Sequence, residues 1–295
     1  MELKGIYTAL VTPFTAYRFD EEAFKRLIEF QLEGGVDGIV PCGSTGEAAT
    51  LSYDEHARVI ELTLKFVHGK VPVIAGTGSN STTETIELTE MAKKLGANAC
   101  LLTTPYYNKP TQEGLYLHYK KVAEEVDIPL VLYNIPGRTG INMTPETIAR
   151  IAEIPNVVGI KEASGSLVQV ADIYRLTKGK FAIVSGDDNL FLPMMSVGAV
   201  GVISVISNIM PKELKAIYKA FMEERSIDRA RDLNVAMLPI MQAMFVETNP
   251  IPVKEALYHM EMIEKEFRLP LCPLSQGSSA FLKGILKEYD LLRRE

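Results

Sequence analysis

The residue best placed to do covalent chemistry in this chain is Lys161, which follows the apolar run Val157-Val158-Gly159-Ile160. Short apolar runs bounded by turn residues read as strands buried on both faces. Burial disfavours the ammonium form, and a neutral amine beside a pocket can form a Schiff base with a carbonyl compound. The other reading is a lysine that caps its strand and reaches out to water. Alternation sends Val157, Gly159 and Lys161 to one face and Val158 and Ile160 to the other, toward covering helices, with Gly159 leaving space beneath the lysine. On the preceding apolar run, Leu130-Val131-Leu132-Tyr133, the same alternation points Tyr133 inward. Neighbouring strands lie about 4.8 Å apart, so phenol and amine can share one pocket. A buried tyrosine is often only core packing with a bonded hydroxyl, but beside such a lysine it can also move protons.

Three loops add polar groups. Gly43-Ser44-Thr45-Gly46-Glu47 combines glycines, which let backbone N–H groups converge, with two hydroxyls, and so suits a small carboxylate. As a bare pattern it also fits many tight turns. Arg138 sits among turn residues in Asn134-Ile135-Pro136-Gly137-Arg138-Thr139-Gly140, where it could fork a carboxylate or simply be solvated. Asp187-Asp188 could suggest a divalent metal, but His56, His68, His118 and His259 supply no matching ligand set, and loop structure is the preferred reading for the aspartates.

The elements that must position these groups follow a rhythm of strand, loop and helix. Apolar runs at Gly5–Val11, Gly38–Cys42, Val71–Ala75, Ala99–Leu102, Leu130–Tyr133, Val157–Ile160, Phe181–Ser185 and Val200–Val205 predict eight strands. Ser52-x-x-Glu55, Ser81-x-x-Glu84 and Ser166-x-x-Gln169 predict capping boxes, and Thr144-Pro145 a helix start. The first helix carries its buried stripe at Phe24, Leu27, Ile28, Gln31 and Leu32 and stops at Gly34-Gly35. Eight strand–helix units close most simply as an α/β TIM (β/α)8 barrel. An open doubly wound sheet competes, but Gly76-Thr77-Gly78-Ser79-Asn80-Ser81 lacks the third glycine of a dinucleotide fingerprint, and there is no phosphate-binding G-x-x-x-x-G-K-[ST]. The eighth helix runs from Pro211 to about Glu224. The reading is a barrel over residues 1–224 and a C-terminal helical extension over 225–295, with helices near Asp228–Phe245, Pro252–Glu264 and Ser278–Arg293. In a barrel of this kind, functional groups cluster at the C-terminal ends of the strands, where all of the groups above fall.

Composition narrows the classes. The 295 residues are 47% hydrophobic and 23% charged, as in an ordinary soluble globular protein. A net charge of −6 argues against a nucleic-acid partner, and no apolar run approaches the roughly 18 residues of a membrane span. Met1-Glu2-Leu3-Lys4-Gly5 lacks a signal-peptide pattern. Cys42, Cys100 and Cys272 are odd in number and unpaired in spacing, so buried, reduced thiols in a cytoplasmic protein are expected.

Taken together, Gly43-Ser44-Thr45-Gly46-Glu47, Tyr133-Asn134-Ile135-Pro136-x-Arg138-Thr139-Gly140, Gly159-Ile160-Lys161-Glu162 and Gly186-Asp187 occur in the order and spacing of the pyruvate-dependent class I aldolase family. The resemblance covers the whole chain, including its helical C-terminus. It implies a Schiff base between Lys161 and pyruvate, with Tyr133, Ser44 and Tyr107 relaying protons. It implies that Thr45 and its loop hold the pyruvate carboxylate, that Gly186 and Ile203 line the site by backbone groups, and that no metal or organic cofactor is required. Arg138 would hold the carboxylate of L-aspartate 4-semialdehyde as second substrate. Sister aldolases acting on N-acetylneuraminate or 2-keto-3-deoxy sugar acids would be expected to lack that arginine. A keto-acid-binding barrel without catalysis and a metal-dependent aldolase compete with these readings.

The resemblance further implies a homo-oligomer, a tight dimer in which Tyr107 reaches the partner's site, usually paired into a tetramer. Relatives inhibited by lysine use a cleft whose matching positions here are Ala48, Ala49, Tyr53, His56, Asn80, Glu84 and Tyr106. A serine and a histidine common in that cleft are replaced by Ala48 and Tyr53, so weak or absent lysine inhibition is expected. Ser44 stands where many relatives carry threonine, which keeps the hydroxyl.

Overall fold

A computed structural model describes residues 2–293. They group into two compact units, one formed by the chain up to Gly5 with Pro72–Ile203, the other by Ile6–Val71 with the chain from Ser204 onward. The strands are β1 (Gly5–Ala9), β2 (Phe14–Thr15), β3 (Arg18–Phe19), β4 (Gly38–Val40), β5 (Ile74–Gly76), β6 (Ala99–Thr103), β7 (Leu130–Asn134), β8 (Val157–Glu162), β9 (Ala182–Ser185) and β10 (Gly201–Ser204). Each of the eight apolar runs overlaps a strand, with ends that differ by one to three residues, and β2 and β3 are additional.

In the first unit β5 to β10 pair in chain order, all parallel. The helices Thr82–Leu95, Gln112–Glu125, Pro145–Ile151, Leu167–Leu176 and Phe191–Ser196 fall between successive strands. Strands covered on both faces must be apolar on both, and β7 is buried at every residue. Where β7 meets β8 the register slips: Leu130 pairs with Val157, but Val131 pairs with Gly159. Val158 is therefore an extra residue, a bulge, and above it Tyr133 stands level with Lys161. The space expected beneath the lysine is taken: a Cβ on Gly159 would fall 2.8 Å from Leu3 Cδ2 and 2.7 Å from the Ala182 carbonyl oxygen.

In the second unit β1 and β4 pair in parallel, accompanied by the helices Glu21–Glu33, Tyr53–Val67, Pro211–Tyr218, Ile227–Ala243, Ile251–His259 and Gln276–Glu288. The Glu21–Glu33 helix buries Phe24, Leu27, Ile28 and Gln31 as its spacing predicts, whereas Leu32, at the edge of the stripe, is half-buried. Gln31 accepts from the Thr8 hydroxyl at 2.7 Å and donates to the Asn208 carbonyl at 3.2 Å, so a polar residue in the buried stripe is satisfied. The antiparallel β2–β3 hairpin turns through Ala16 and Tyr17, both left-handed with φ of 51° and 60°. Such turns are ordinarily announced by Asn-Gly, so this sequence gives no sign of it.

Of the three capping boxes, only Ser52/Glu55 is complete. At Ser81 and Ser166 the serine accepts from the backbone N–H three residues on, but Glu84 turns to the Ser79 hydroxyl and Gln169 into a buried network. The C-terminal helices lie where expected, with bounds shifted by a few residues. The second of them stops at His259, short of Glu264, and Glu261 just beyond it is left-handed at φ 62°. Eight strand–helix repeats followed by this helical extension constitute the (β/α)8 TIM-barrel succession.

Candidate active site

Lys161 and Tyr133, each only 5% exposed, face the same way from adjacent strands, and the lysine Nζ lies 4.3 Å from the centroid of the Tyr133 ring. Burial lowers the Lys161 pKa to about 8, and Arg138 adds a smaller push in the same direction, while Asp187 and Asp188 oppose it. A tenth of such amines are neutral at pH 7, roughly, against a few in ten thousand for an ordinary lysine. Burial also pushes the Tyr133 phenol well above its ordinary range, so it enters any reaction as a protonated hydroxyl. Gly186 is packed against the lysine stem: a Cβ there would lie 3.1 Å from Lys161 Cε and 2.7 Å from Ala163 Cβ.

The sequence reading missed the electrostatic part of Asp187 and Asp188. They shape their loop, as expected, with the Ser185 hydroxyl bonded to the Asp187 backbone at both N–H and carbonyl. They also act on the amine, and burial raises the Asp187 carboxyl while Lys161 lowers it. Among the described residues no group of three or more His, Cys, Asp or Glu could hold a metal ion.

On the other face of β7 and β8 lies a buried network that the motifs did not announce. Glu162 accepts from the Asn134 amide at 3.0 Å, the Gln169 amide at 3.2 Å and the Ser164 N–H at 2.7 Å. Asn134 also donates to Asn142 Oδ1 at 2.7 Å and accepts from the Met143 N–H at 3.0 Å. These bonds hold both ends of the segment carrying Arg138, whose short helix Pro136–Thr139 is closed by the Thr139 hydroxyl on the Ile135 and Ile141 carbonyls. Arg138 itself is exposed. Tyr107 is 89% exposed with φ 72°, and Ile203 is buried in β10.

In the second unit the Gly43–Glu47 loop is a tight turn. The N–H groups of Gly46 and Ala48 donate to the Gly43 carbonyl and that of Glu47 to Ser44, so two of the loop's donors and that of the next residue serve the turn itself. Ser44 is half-buried and Thr45 buried, its hydroxyl accepting from the Asn249 amide at 3.0 Å. Glu47, left-handed at φ 53°, forms a fully buried ion pair with Lys254 and accepts from the Arg268 N–H at 3.2 Å. The Lys254 ammonium lies over the Phe14 and Phe267 rings at 4.5 and 5.2 Å.

Of the positions matched to the lysine cleft, Ala49 and Tyr53 are exposed and Ala48 half-buried, while His56 is buried. In the first unit the Asn80 carbonyl accepts from the Asn108 amide at 2.9 Å, Glu84 takes the Ser79 hydroxyl, and Tyr106 is exposed. Cys42 and Cys100 are buried, with thiols pushed up by burial, but Cys272 is exposed, contrary to the expectation of three buried thiols. Among the described residues no helix is long and apolar enough to cross a membrane.

The sequence matches the model of the dihydrodipicolinate synthetase family over residues 2–289. It is 55% identical over 289 residues to the 4-hydroxy-tetrahydrodipicolinate synthase of Pelobacter propionicus, covering 98% of this chain and 99% of that one. Identity to the enzyme of the same name from Thermodesulfovibrio yellowstonii is 53% over 290 residues, again covering 98% and 99%. The crystal structure of dihydrodipicolinate synthase from Aquifex aeolicus matches with a TM-score of 0.97 at 45% identity, over 99% of this chain and 100% of that one. That from Thermotoga maritima matches at 0.96 and 47%, over 98% and 99%.

Proposed function

Since the chain belongs to the dihydrodipicolinate synthetase family, we propose a mechanism in which Lys161 is the covalent centre. The reaction condenses pyruvate with L-aspartate 4-semialdehyde through a lysine Schiff base to give 4-hydroxy-tetrahydrodipicolinate, in the diaminopimelate route of lysine biosynthesis. The observation that carries the assignment is the buried Lys161 amine, its pKa lowered to about 8, against the Tyr133 ring.

The neutral amine attacks the keto carbon of pyruvate, and loss of water leaves an iminium. Its positive charge acidifies the methyl group, a proton leaves, and the resulting enamine carbon attacks the aldehyde. The semialdehyde's amine then adds to the iminium carbon and expels Lys161 as the ring closes. A phenol that stays protonated near neutral pH transfers protons only in concert with other hydroxyls, so Tyr133 acts with Ser44 and Tyr107 as a relay. Thr45 takes the pyruvate carboxylate, together with the Ser44 and Thr45 N–H groups, which precede the three committed to the turn. Gly186 and Ile203 contribute backbone groups, and Arg138 forks the carboxylate of the second substrate. The exposed, left-handed Tyr107 suits a residue that completes a partner's site, which favours a homodimer or a tetramer of dimers; the biosynthetic role assigns the protein to the cytoplasm.

Borohydride reduction in the presence of pyruvate, followed by peptide mapping, tests the covalent step. A pyruvyl adduct on Lys161 is expected, and an adduct elsewhere or none refutes the assignment. Turnover of pyruvate with aspartate semialdehyde, set against cleavage of N-acetylneuraminate and 2-keto-3-deoxy sugar acids, tests the second substrate.

A further inference from the structure

The C-terminal helical extension reaches the Gly43–Glu47 loop at Glu47, through Lys254 and the Arg268 N–H, and at Thr45, through Asn249, and the contacts at the two residues differ in kind. Lys254, within the Ile251–His259 helix, pairs with Glu47 out of contact with water. Asn249, just before that helix, donates its amide N–H to the Thr45 hydroxyl oxygen at 3.0 Å, with both residues buried. The Gly46 carbonyl between them accepts from the Thr12 hydroxyl at 2.7 Å. The ion pair and the Thr12 bond fix where the loop backbone lies.

The Asn249 bond fixes something else. A hydroxyl has one proton and two lone pairs, and an amide N–H can only donate. When Thr45 Oγ1 accepts from Asn249, its own proton must point elsewhere. A buried hydroxyl whose rotor is set in this way is a preoriented donor, which is what an anion needs and what a freely rotating hydroxyl gives only part of the time. Donation from the amide also polarises the O–H bond and strengthens its onward hydrogen bond.

We propose that Asn249 is a positioning residue that sets the Thr45 hydroxyl as a donor to the carboxylate of pyruvate. The helical extension thereby tunes affinity for the first substrate. This rests on the reading that Thr45 holds that carboxylate.

The test compares Asn249→Asp, Asn249→Ala, Thr45→Val and the Thr45→Val/Asn249→Asp pair, each assayed for KM of both substrates, kcat and thermal midpoint. Aspartate has the shape of asparagine but only accepts, so it draws the Thr45 proton inward and away from pyruvate. Asn249→Asp is expected to raise the pyruvate KM at least tenfold, with kcat at saturating pyruvate and the KM for aspartate semialdehyde within about twofold of the parent. Asn249→Ala, which frees the rotor without reversing it, is expected to raise it less. In the Thr45→Val background, Asn249→Asp is expected to add no further increase.

An unchanged pyruvate KM in Asn249→Asp and Asn249→Ala, or the same increase with Thr45 absent, overturns the proposal. So does a loss shared equally by kcat and both KM values together with the thermal midpoint, the mark of a merely structural role. Should Asn249→Asp not fold, Asn249→Ala with and without Thr45→Val decides by the same criteria. The underlying mechanism fails separately and visibly. An unsubstituted protein that gives no borohydride-trapped adduct on Lys161 refutes it. An adduct with normal pyruvate KM in Thr45→Val refutes the carboxylate role of Thr45, and the proposal with it.

Discussion

Tyr133 and Lys161 stand level on adjacent parallel strands, the amine 4.3 Å from the centre of the phenol ring, and both residues are buried. One is a base made available by burial, the other an acid that burial keeps protonated. Their pairing orders the consequences that experiment can check.

The Lys161 amine falls from 10.5 to about 8 on folding, chiefly by desolvation. Initial rates of borohydride trapping with pyruvate should therefore rise from pH 6 to about 8 and level off above. The same shift makes charged Lys161 a cost to the folded state. That cost is whole below pH 8, shrinks between 8 and 10.5, and is absent above. Lys161→Met should abolish the adduct and raise stability at pH 7 by something on the order of 3 kcal/mol, a gain that fades as pH passes through that window. Denaturant melts at pH 7 and 10 check it.

Removing the Asp187 carboxylate takes away the largest influence favouring the ammonium. Asp187→Asn should move the acid limb of the trapping profile to lower pH. An unmoved or raised limb would remove Asp187 from the electrostatics of the site.

Tyr133→Phe keeps the ring against the lysine and loses only the hydroxyl. Turnover is expected to drop by about 10²–10⁴, the usual worth of a positioned proton-transfer group, while the pyruvyl adduct still forms. Steady-state kinetics beside mass mapping separates the two steps.

The buried Glu47–Lys254 pair should resist loss of either partner badly and loss of both better. Lys254→Met strands a carboxylate out of water and is expected to cost about 3–5 kcal/mol of stability, with Glu47→Leu/Lys254→Met recovering most of it. Chemical denaturation of these two variants beside the parent protein measures this.

The family resemblance matches Ala48 and Tyr53 to positions where lysine-inhibited relatives commonly carry a serine and a histidine, which implies weak or absent inhibition by lysine. A lysine titration of the steady-state rate is the measurement, and half-inhibition at submillimolar lysine would contradict it.

All eight barrel strands could be read from the chain because strands buried on both faces must be apolar throughout, as Leu130–Asn134 and Val157–Glu162 nearly are. The β2–β3 hairpin could not, since Ala16 and Tyr17 take a turn that their side chains do not advertise. Lys161 and Tyr133 were visible because strand alternation is strictly local. The pair Lys254–Glu47 was not, being 207 positions apart and joined only by tertiary packing. Gln169 illustrates a competing pull: its spacing marks it as half of a capping box, but its amide N–H goes to the buried Glu162 carboxylate and its carbonyl oxygen accepts from the Asn142 amide, not from the Ser166 N–H. In sequence Asp187 and Asp188 point to loop structure, and their action on the amine emerges only once β8 and the loop after β9 are brought together.

The extra residue at Val158 decides which side chain the Tyr133 ring faces. Counted straight up from Leu130 and Val157, the partner of Tyr133 would be Ile160, and the lysine would fall beside Asn134, on the helix side of the wall. A single miscount between two neighbours thus decides that the phenol's companion is an amine and not a hydrocarbon. The lower part of the strand is free to follow its own register so long as the tally above the irregularity is kept.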